Sequence, residues 1–168
     1  DQLLCEGELT DDVIFTGPNA TTSFIWTNDN TSIGLVASGT GDILSFNADN
    51  TSLVDQDATI TVTPEFNGCL GNSQTFVITV KPKPNAFATP VTQEHCSGEN
   101  SDEIFFTGDL VGTQYDWLND NVSIGLSASG IGDIPSFTVI NSSSTIQTST
   151  VSVIPSFNGC DGDGITAT

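Results

Sequence analysis

Residues 58–69 read Ala-Thr-Ile-Thr-Val-Thr-Pro-Glu-Phe-Asn-Gly-Cys. Thr59, Thr61 and Thr63 alternate with Ile60 and Val62, a period of two that places the aliphatic side chains on one face of a strand. The alternation returns more loosely at Thr75-Phe76-Val77-Ile78-Thr79-Val80. Further β-branched and aromatic runs at 13–16, 23–27, 34–37 and 43–47 are separated by Gly, Asn, Asp, Ser and Pro clusters, the pattern of an all-β chain. Helical periodicity is absent throughout. Phe15, Phe24, Trp26, Ile60, Val62, Phe76 and Ile78 are the expected inward residues.

The same text appears twice. At an offset of 91 residues and without a gap, Cys5 falls on Cys96, Trp26 on Trp117, Pro64 on Pro155 and Cys69 on Cys160. Ser32-Ile33-Gly34-Leu35 returns as Ser123-Ile124-Gly125-Leu126, and Phe66-Asn67-Gly68-Cys69 as Phe157-Asn158-Gly159-Cys160. A unit of that length is too long for a solenoid repeat and fits a domain with its own core. Phe106, Tyr115, Trp117, Val151 and Val153 are then the core candidates of the second copy. Seven or so short strands in roughly 90 residues read as an immunoglobulin-like β-sandwich. The expected organisation is repeat 1 at 1–81, a Pro-rich linker at 82–87 and repeat 2 at 88–168, within a longer array.

The chain has 168 residues, two lysines, no arginine and 21 acidic side chains, for a net charge of −19. So few cations cannot neutralise phosphates, which argues against nucleic acid and anionic lipid as partners. Apolar residues make up 36% of the chain, enough to build cores, and their runs are too short to span a membrane. Eleven acidic residues precede the linker and ten follow it, so both repeats carry the charge. An even spread favours solubility and extension over one acidic docking patch. Lys81 and Lys83 both fall at the joint, in a spacer or in pairs with nearby carboxylates.

Each copy holds two cysteines, and pairing within a copy, Cys5–Cys69 and Cys96–Cys160, is the simplest connectivity. Such bonds imply an oxidising compartment and export. A four-cysteine zinc site lacks the close spacing it would need.

Cys-x-Gly, Phe-Thr-Gly, Trp-x-Asn, Ser-Ile-Gly-Leu, Ser-Gly-x-Gly-Asp-Ile-x-Ser-Phe and Pro-x-Phe-Asn-Gly-Cys occur in order in both copies. Together they resemble the tandem PKD-like repeats of Bacteroidetes cell-surface adhesins, including SprB-type gliding-motility adhesins. The resemblance implies a β-sandwich, export through the type IX secretion system and service in a cell-surface filament. The Trp-Asp-Phe-Gly-Asp-Gly signature of ordinary PKD domains is replaced by Trp26-Thr27-Asn28-Asp29 and Trp117-Leu118-Asn119-Asp120.

Catalysis finds little support in the residues. His95 is the only histidine and has no counterpart in the first copy, so a triad lacks its base. Asp11-Asp12 and Asp102-Glu103 would serve glycosidase chemistry only if burial in a cleft raised one pKa. No enzyme and no required cofactor are expected. Ca²⁺ is the one metal the acidic loops suit, since it takes six to eight oxygens. Its candidate ligands are Asp29, Asp42, Asp120 and Asp133, with Asp161-Gly162-Asp163-Gly164 as a further acidic loop; none has EF-hand spacing. The competing reading makes these turn residues that hydrogen-bond their own backbone. Trp26 and Trp117 read as core residues sooner than as carbohydrate platforms. The favoured function is a spacer in an adhesin filament for surface attachment and gliding, its partners adjacent repeats and surface polysaccharide or other cell-surface proteins. The alternatives are a Ca²⁺-stabilised glycan- or protein-binding module and an accessory domain of a secreted glycan-degrading enzyme.

Overall fold

Two separate apolar cores form, one in the unit Asp1–Pro82 and one in Lys83–Thr168. The computed structural model describes residues 1–168, and apart from two short 3-10 turns all of its regular structure is β. The first unit contains β1 (Gln2–Cys5), β2 (Ser23–Asn28), β3 (Ser38–Thr40), β4 (Gln56–Phe66), β5 (Cys69–Leu70) and β6 (Gln74–Lys81). They form one sheet in the order β1-β6-β4-β2-β3, with β5 folded back on the end of β4. β1 runs parallel to β6, and every other pairing is antiparallel.

The period-two segment lies in β4, where Ala58, Ile60 and Val62 are buried while Thr59 and Thr61 are only half-buried. They pack with Trp26, Ile33, Ile43, Ile78 and Val80, and Phe15, Phe24 and Phe76 close over that cluster. All seven expected inward residues therefore contribute to the core.

A second layer faces this sheet and is held differently. Residues 13–16 and 43–47, expected as strands, meet only through the isolated bridges Val13↔Ile43 and Leu9↔Asn47. Side chains take the bonds that a continuous ladder would have made. Asp12 Oδ1 accepts from the Ser45 N–H at 2.6 Å, Asp42 Oδ1 from the Phe15 N–H at 2.9 Å, and Thr10 Oγ1 from the Phe46 N–H at 3.0 Å. Short polar side chains compete with β pairing in this way. The run at 34–37 is likewise pre-empted. Asn28 Nδ2 donates to the Leu35 carbonyl at 2.9 Å, and the regular strand begins only at Ser38.

The second unit contains β7 (Phe87–Thr89), β8 (Phe105–Thr107), β9 (Gln114–Asn119), β10 (Ser129–Ile131), β11 (Val151–Phe157), β12 (Cys160–Asp161) and β13 (Ile165–Ala167). Its main sheet runs β10-β9-β11-β12, with β13 also on β11. β7 pairs with β8, and the bridges Asn100↔Thr138 and Ile104↔Ile134 continue the opposing layer. Phe106, Trp117, Val151 and Val153 are buried there, and Tyr115 packs against them.

The expected linker is partly built into this unit. Asn85 Nδ2 donates to Asp109 Oδ2 at 2.6 Å, and the Asp109 N–H donates back to Asn85 Oδ1 at 2.8 Å. Lys81 ends β6, whereas Lys83 Nζ lies 2.6 Å from Asp163 Oδ1. The Asp163 side chain is 93% exposed, so solvent screening leaves that ion pair little effect on stability.

The cysteine pairing expected from the sequence is corrected by the register. Cys5 lies opposite Lys81 at one end of the first sheet, and Cys69 opposite Phe66 at the other. Between them runs β4, from Gln56 opposite Val80 to Phe66. Ten steps at about 3.3 Å put the two cysteines about 33 Å apart. A disulfide requires Cα atoms within about 7 Å, so Cys5–Cys69 cannot form. Nor can Cys96–Cys160. Cys160 sits opposite Phe157, while Gln93, three residues before Cys96, bonds to Thr168 near the far end of β11. Cys69 and Cys96 are exposed free thiols, so neither pair within a copy forms, and Cys5 and Cys160 are disulfide-bonded cysteines.

Candidate functional site

The acidic loops singled out for Ca²⁺ follow β2 and β9. In the first, Asn28 is buried at the strand end, and its Oδ1 accepts from the Asn30 N–H at 3.0 Å. Asn30 Oδ1 accepts from the Ser32 N–H at 3.1 Å and caps the 3-10 turn Thr31–Ile33. Its amide donates to the Asp57 carbonyl at 2.9 Å, tying the turn to β4. Asp29 Oδ1 accepts from the Thr59 N–H at 2.7 Å.

The second loop repeats this wiring. Asn119 accepts from the Asn121 N–H at 3.0 Å, Asn121 caps Val122–Ile124, and Asp120 Oδ1 accepts from the Thr150 N–H at 2.7 Å. Ser149 Oγ adds a short hydrogen bond to Asn119 Oδ1. Asp42 and Asp133 form a second matched pair. Asp42 bonds the Phe15 N–H, and Asp133 Oδ1 the Phe106 N–H at 2.8 Å.

Each of the four candidate ligands thus uses an oxygen to clamp a backbone N–H of a neighbouring segment. A carboxylate held by an N–H in this way makes one of the stronger hydrogen bonds available to a loop. The four do not converge, and no group of three or more His, Cys, Asp or Glu side chains is placed to hold a metal ion. Asn28, Asn30, Asn119 and Asn121 make the local bonds of turn residues, whereas the four aspartates bond segments 27 to 30 residues away in the chain.

The remaining candidates are also distributed. Asp12 is occupied with Ser45, and the Asp11 backbone is bonded at both N–H and carbonyl by the Gln2 side chain. His95 Nε2 lies 2.8 Å from Gln93 Oε1, whose oxygen also accepts from the Asp102 N–H. Trp26 and Trp117 are buried, as core residues. Sequence reasoning missed the part played by Asn28 and Asn119. The signal available was their place one residue before a repeated Asp, at the end of a strand.

Residues 2–84 match the family model of the PKD-like domain. Over that span the first unit is similar to a PKD-like, immunoglobulin-type repeat. The PKD-like match and the disulfide fit an extracellular protein, and no helix of the chain is long and apolar enough to cross a membrane. Comparison with curated proteins returned no match.

Proposed function

We propose that both units are PKD-like repeats serving as non-catalytic spacers in a secreted, cell-surface adhesin filament used for attachment and gliding. The observation that carries this reading is the duplicate use of the polar loops. Asn28-Asp29-Asn30 and Asn119-Asp120-Asn121 make the same backbone hydrogen bonds in both units, as do Asp42 and Asp133. Polar residues committed to bracing a sandwich suit a module that must keep its shape under load. The motif series shared with SprB-type adhesins supports the filament and the gliding role. Even acidity along the chain favours extension through mutual repulsion.

Antibodies against this chain on intact cells provide the test. The expected result is labelled surface filaments, with attachment and gliding lost when the gene is deleted. Label confined to a soluble secreted pool, or unaltered attachment in the deletion strain, would overturn the proposal. A melting curve with Ca²⁺ and with EDTA separates the spacer from a Ca²⁺-stabilised binding module. The spacer shows no shift, and a large Ca²⁺-dependent rise in Tm would favour the binding module.

A further inference from the structure

The outer faces of the two main sheets carry opposite patterns at matched positions. In the first unit Ile25 of β2 lies between Thr40 and Thr63 of the adjacent strands. At the same place in the second unit Asp116 of β9 lies between Ile131 and Ile154. Two residues along β9, on the same face, Leu118 lies between Ser129 and Ser152, where the first unit has Thr27 between Ser38 and Thr61. Polar and apolar positions are thus exchanged. The first unit shows one aliphatic among hydroxyls, and the second a carboxylate walled by aliphatics.

The aliphatic side chains are exposed, Leu118 at 63%, Ile131 at 68% and Ile154 at 48%. With Asp116, Ser129 and Ser152 they line an open, mainly apolar groove of about 520 Å³, the size class of ligand clefts, roughly 300–1,000 Å³. Ile131 and Ile154 stand on strands either side of β9, hence about 10 Å apart, which leaves a slot over Asp116. Gln114 Nε2 donates to Asp116 Oδ1 at 3.1 Å and Oδ2 at 2.9 Å, steadying the carboxylate and leaving it acceptor sites for a further donor. Lys83, the one lysine of this unit, pairs with Asp163.

The chemistry of the occupant follows from that arrangement. An anion is repelled by Asp116 and by a chain of net charge −19, and a second copy brings the same charge. Three exposed aliphatic side chains also fall far short of the roughly 800 Å² per partner that a stable dimer buries. A Lys or Arg side chain suits both parts of the site, since its alkyl stem packs on apolar surface while its head meets the carboxylate. The aliphatic walls exclude water, which strengthens that ion pair over an open surface pair. Because Asp116 and Leu118 stand two apart, an extended segment laid along β9 presents residues i and i+2 to them.

We propose that the outer face of the second unit docks a basic, extended peptide segment of another protein. One Lys or Arg stem lies between Ile131 and Ile154 with its cation on Asp116, and an apolar residue two positions away covers Leu118. The first unit, with Ile25 in place of Asp116, has no such site. The inference goes beyond the spacer reading and does not depend on it.

The experiment titrates the nitrogen-15-labelled 168-residue chain with the synthetic peptide acetyl-Thr-Arg-Thr-Leu-Thr-amide and follows the backbone amide shifts. The expected result is saturable, millimolar binding with shifts in β9, β10 and β11 and none at the matched Thr27, Thr40 and Thr63, a control within the same molecule. Replacing the peptide's arginine by glutamate abolishes the shifts. Asp116→Asn weakens binding about fivefold, as loss of one partly screened ion pair. The double variant Ile131→Thr, Ile154→Thr, which carries the first unit's residues at these places, weakens it by a similar factor, and its amide spectrum reports that it folds. Shifts spread over both units, absence of binding, an unchanged affinity in Asp116→Asn or equal binding of the glutamate peptide overturns the inference. So does a dimer in sedimentation that Ile131→Thr dissolves, which would assign this face to a second copy.

Discussion

Trp26 and Trp117 occupy the same place in the two copies, and their surroundings match until the indole nitrogen is reached. Each ring lies over a glycine of the next strand, Gly39 or Gly130, so closely that a Cβ there would sit 2.2 Å from a ring carbon. Each pairs across the sheet with a valine, Val62 or Val153. Trp117 Nε1 donates to the Gly132 carbonyl at 3.0 Å, whereas the buried Nε1 of Trp26 has no partner. Packing is thus reproduced by the repeated residues, while the indole hydrogen bond is not. The exposed faces of the same strands diverge further. Thr27, Thr40 and Thr63 of the first copy are replaced by Leu118, Ile131 and Ile154, all exposed. A sandwich constrains what points inward and leaves the outer face free to vary.

The largest expected effect tests the shared part. Gly39→Ala and Gly130→Ala drive a methyl group into the indole, and each should destabilise its own unit by about 3 kcal/mol, at the upper end for overpacking. Urea unfolding of the two variants should give losses of similar size, and a marked inequality would show that the two rings are not held alike.

Next come the carboxylate clamps. Asp29→Ala and Asp120→Ala each remove a charge-assisted bond to a backbone N–H, worth about 1.5 kcal/mol. The losses should match between copies and be the same in EDTA as in Ca²⁺, measured by thermal unfolding. A loss seen only with Ca²⁺ would return these residues to the role of ligands.

The indole comparison follows. Trp117→Phe sacrifices the bond to Gly132, while Trp26→Phe deletes an unpaired donor, so the first should cost about 1 kcal/mol more than the second. Equal costs in calorimetry would mean that Trp26 finds a partner in solution.

The smallest effect concerns Tyr115, which stands where the first copy has Phe24. Burial, opposed by a hydrogen bond with Thr113 and aided by Asp133 and Asp109, raises the Tyr115 pKa above 10.0. An unfolded tyrosine ionises first as pH rises past about 10, so this contribution is intact below that pH and is lost above it. Tyr115→Phe should flatten the alkaline loss of stability in the second unit, and an unchanged profile would assign the loss to other groups.

Much of the core was legible because burial follows a period of two. Ile60 and Val62 alternate with threonines, and Trp26 and Phe24 stand two apart, so their facing could be read directly. Strand limits were less legible where short polar side chains compete for the backbone. Nothing in Val13-Ile14-Phe15 reveals that Asp12 and Asp42 will take the hydrogen bonds of its would-be partner strand. The candidate site was legible as a set of special residues, since Asn28-Asp29-Asn30 and its copy are plainly marked. What those residues do was not, because an oxygen-rich loop has the same composition whether it faces a cation or its own backbone.

The cysteines divide the two kinds of knowledge most clearly. From the sequence alone came the duplication, the all-β class, the inward faces and the presence of two cysteines per copy, because periodicity and repetition are properties of order along a chain. Which cysteine meets which was decided only in three dimensions. An eleven-residue strand lies between Cys5 and Cys69, and its rigid rise holds them far beyond the reach of a disulfide, whatever their matched spacing suggests.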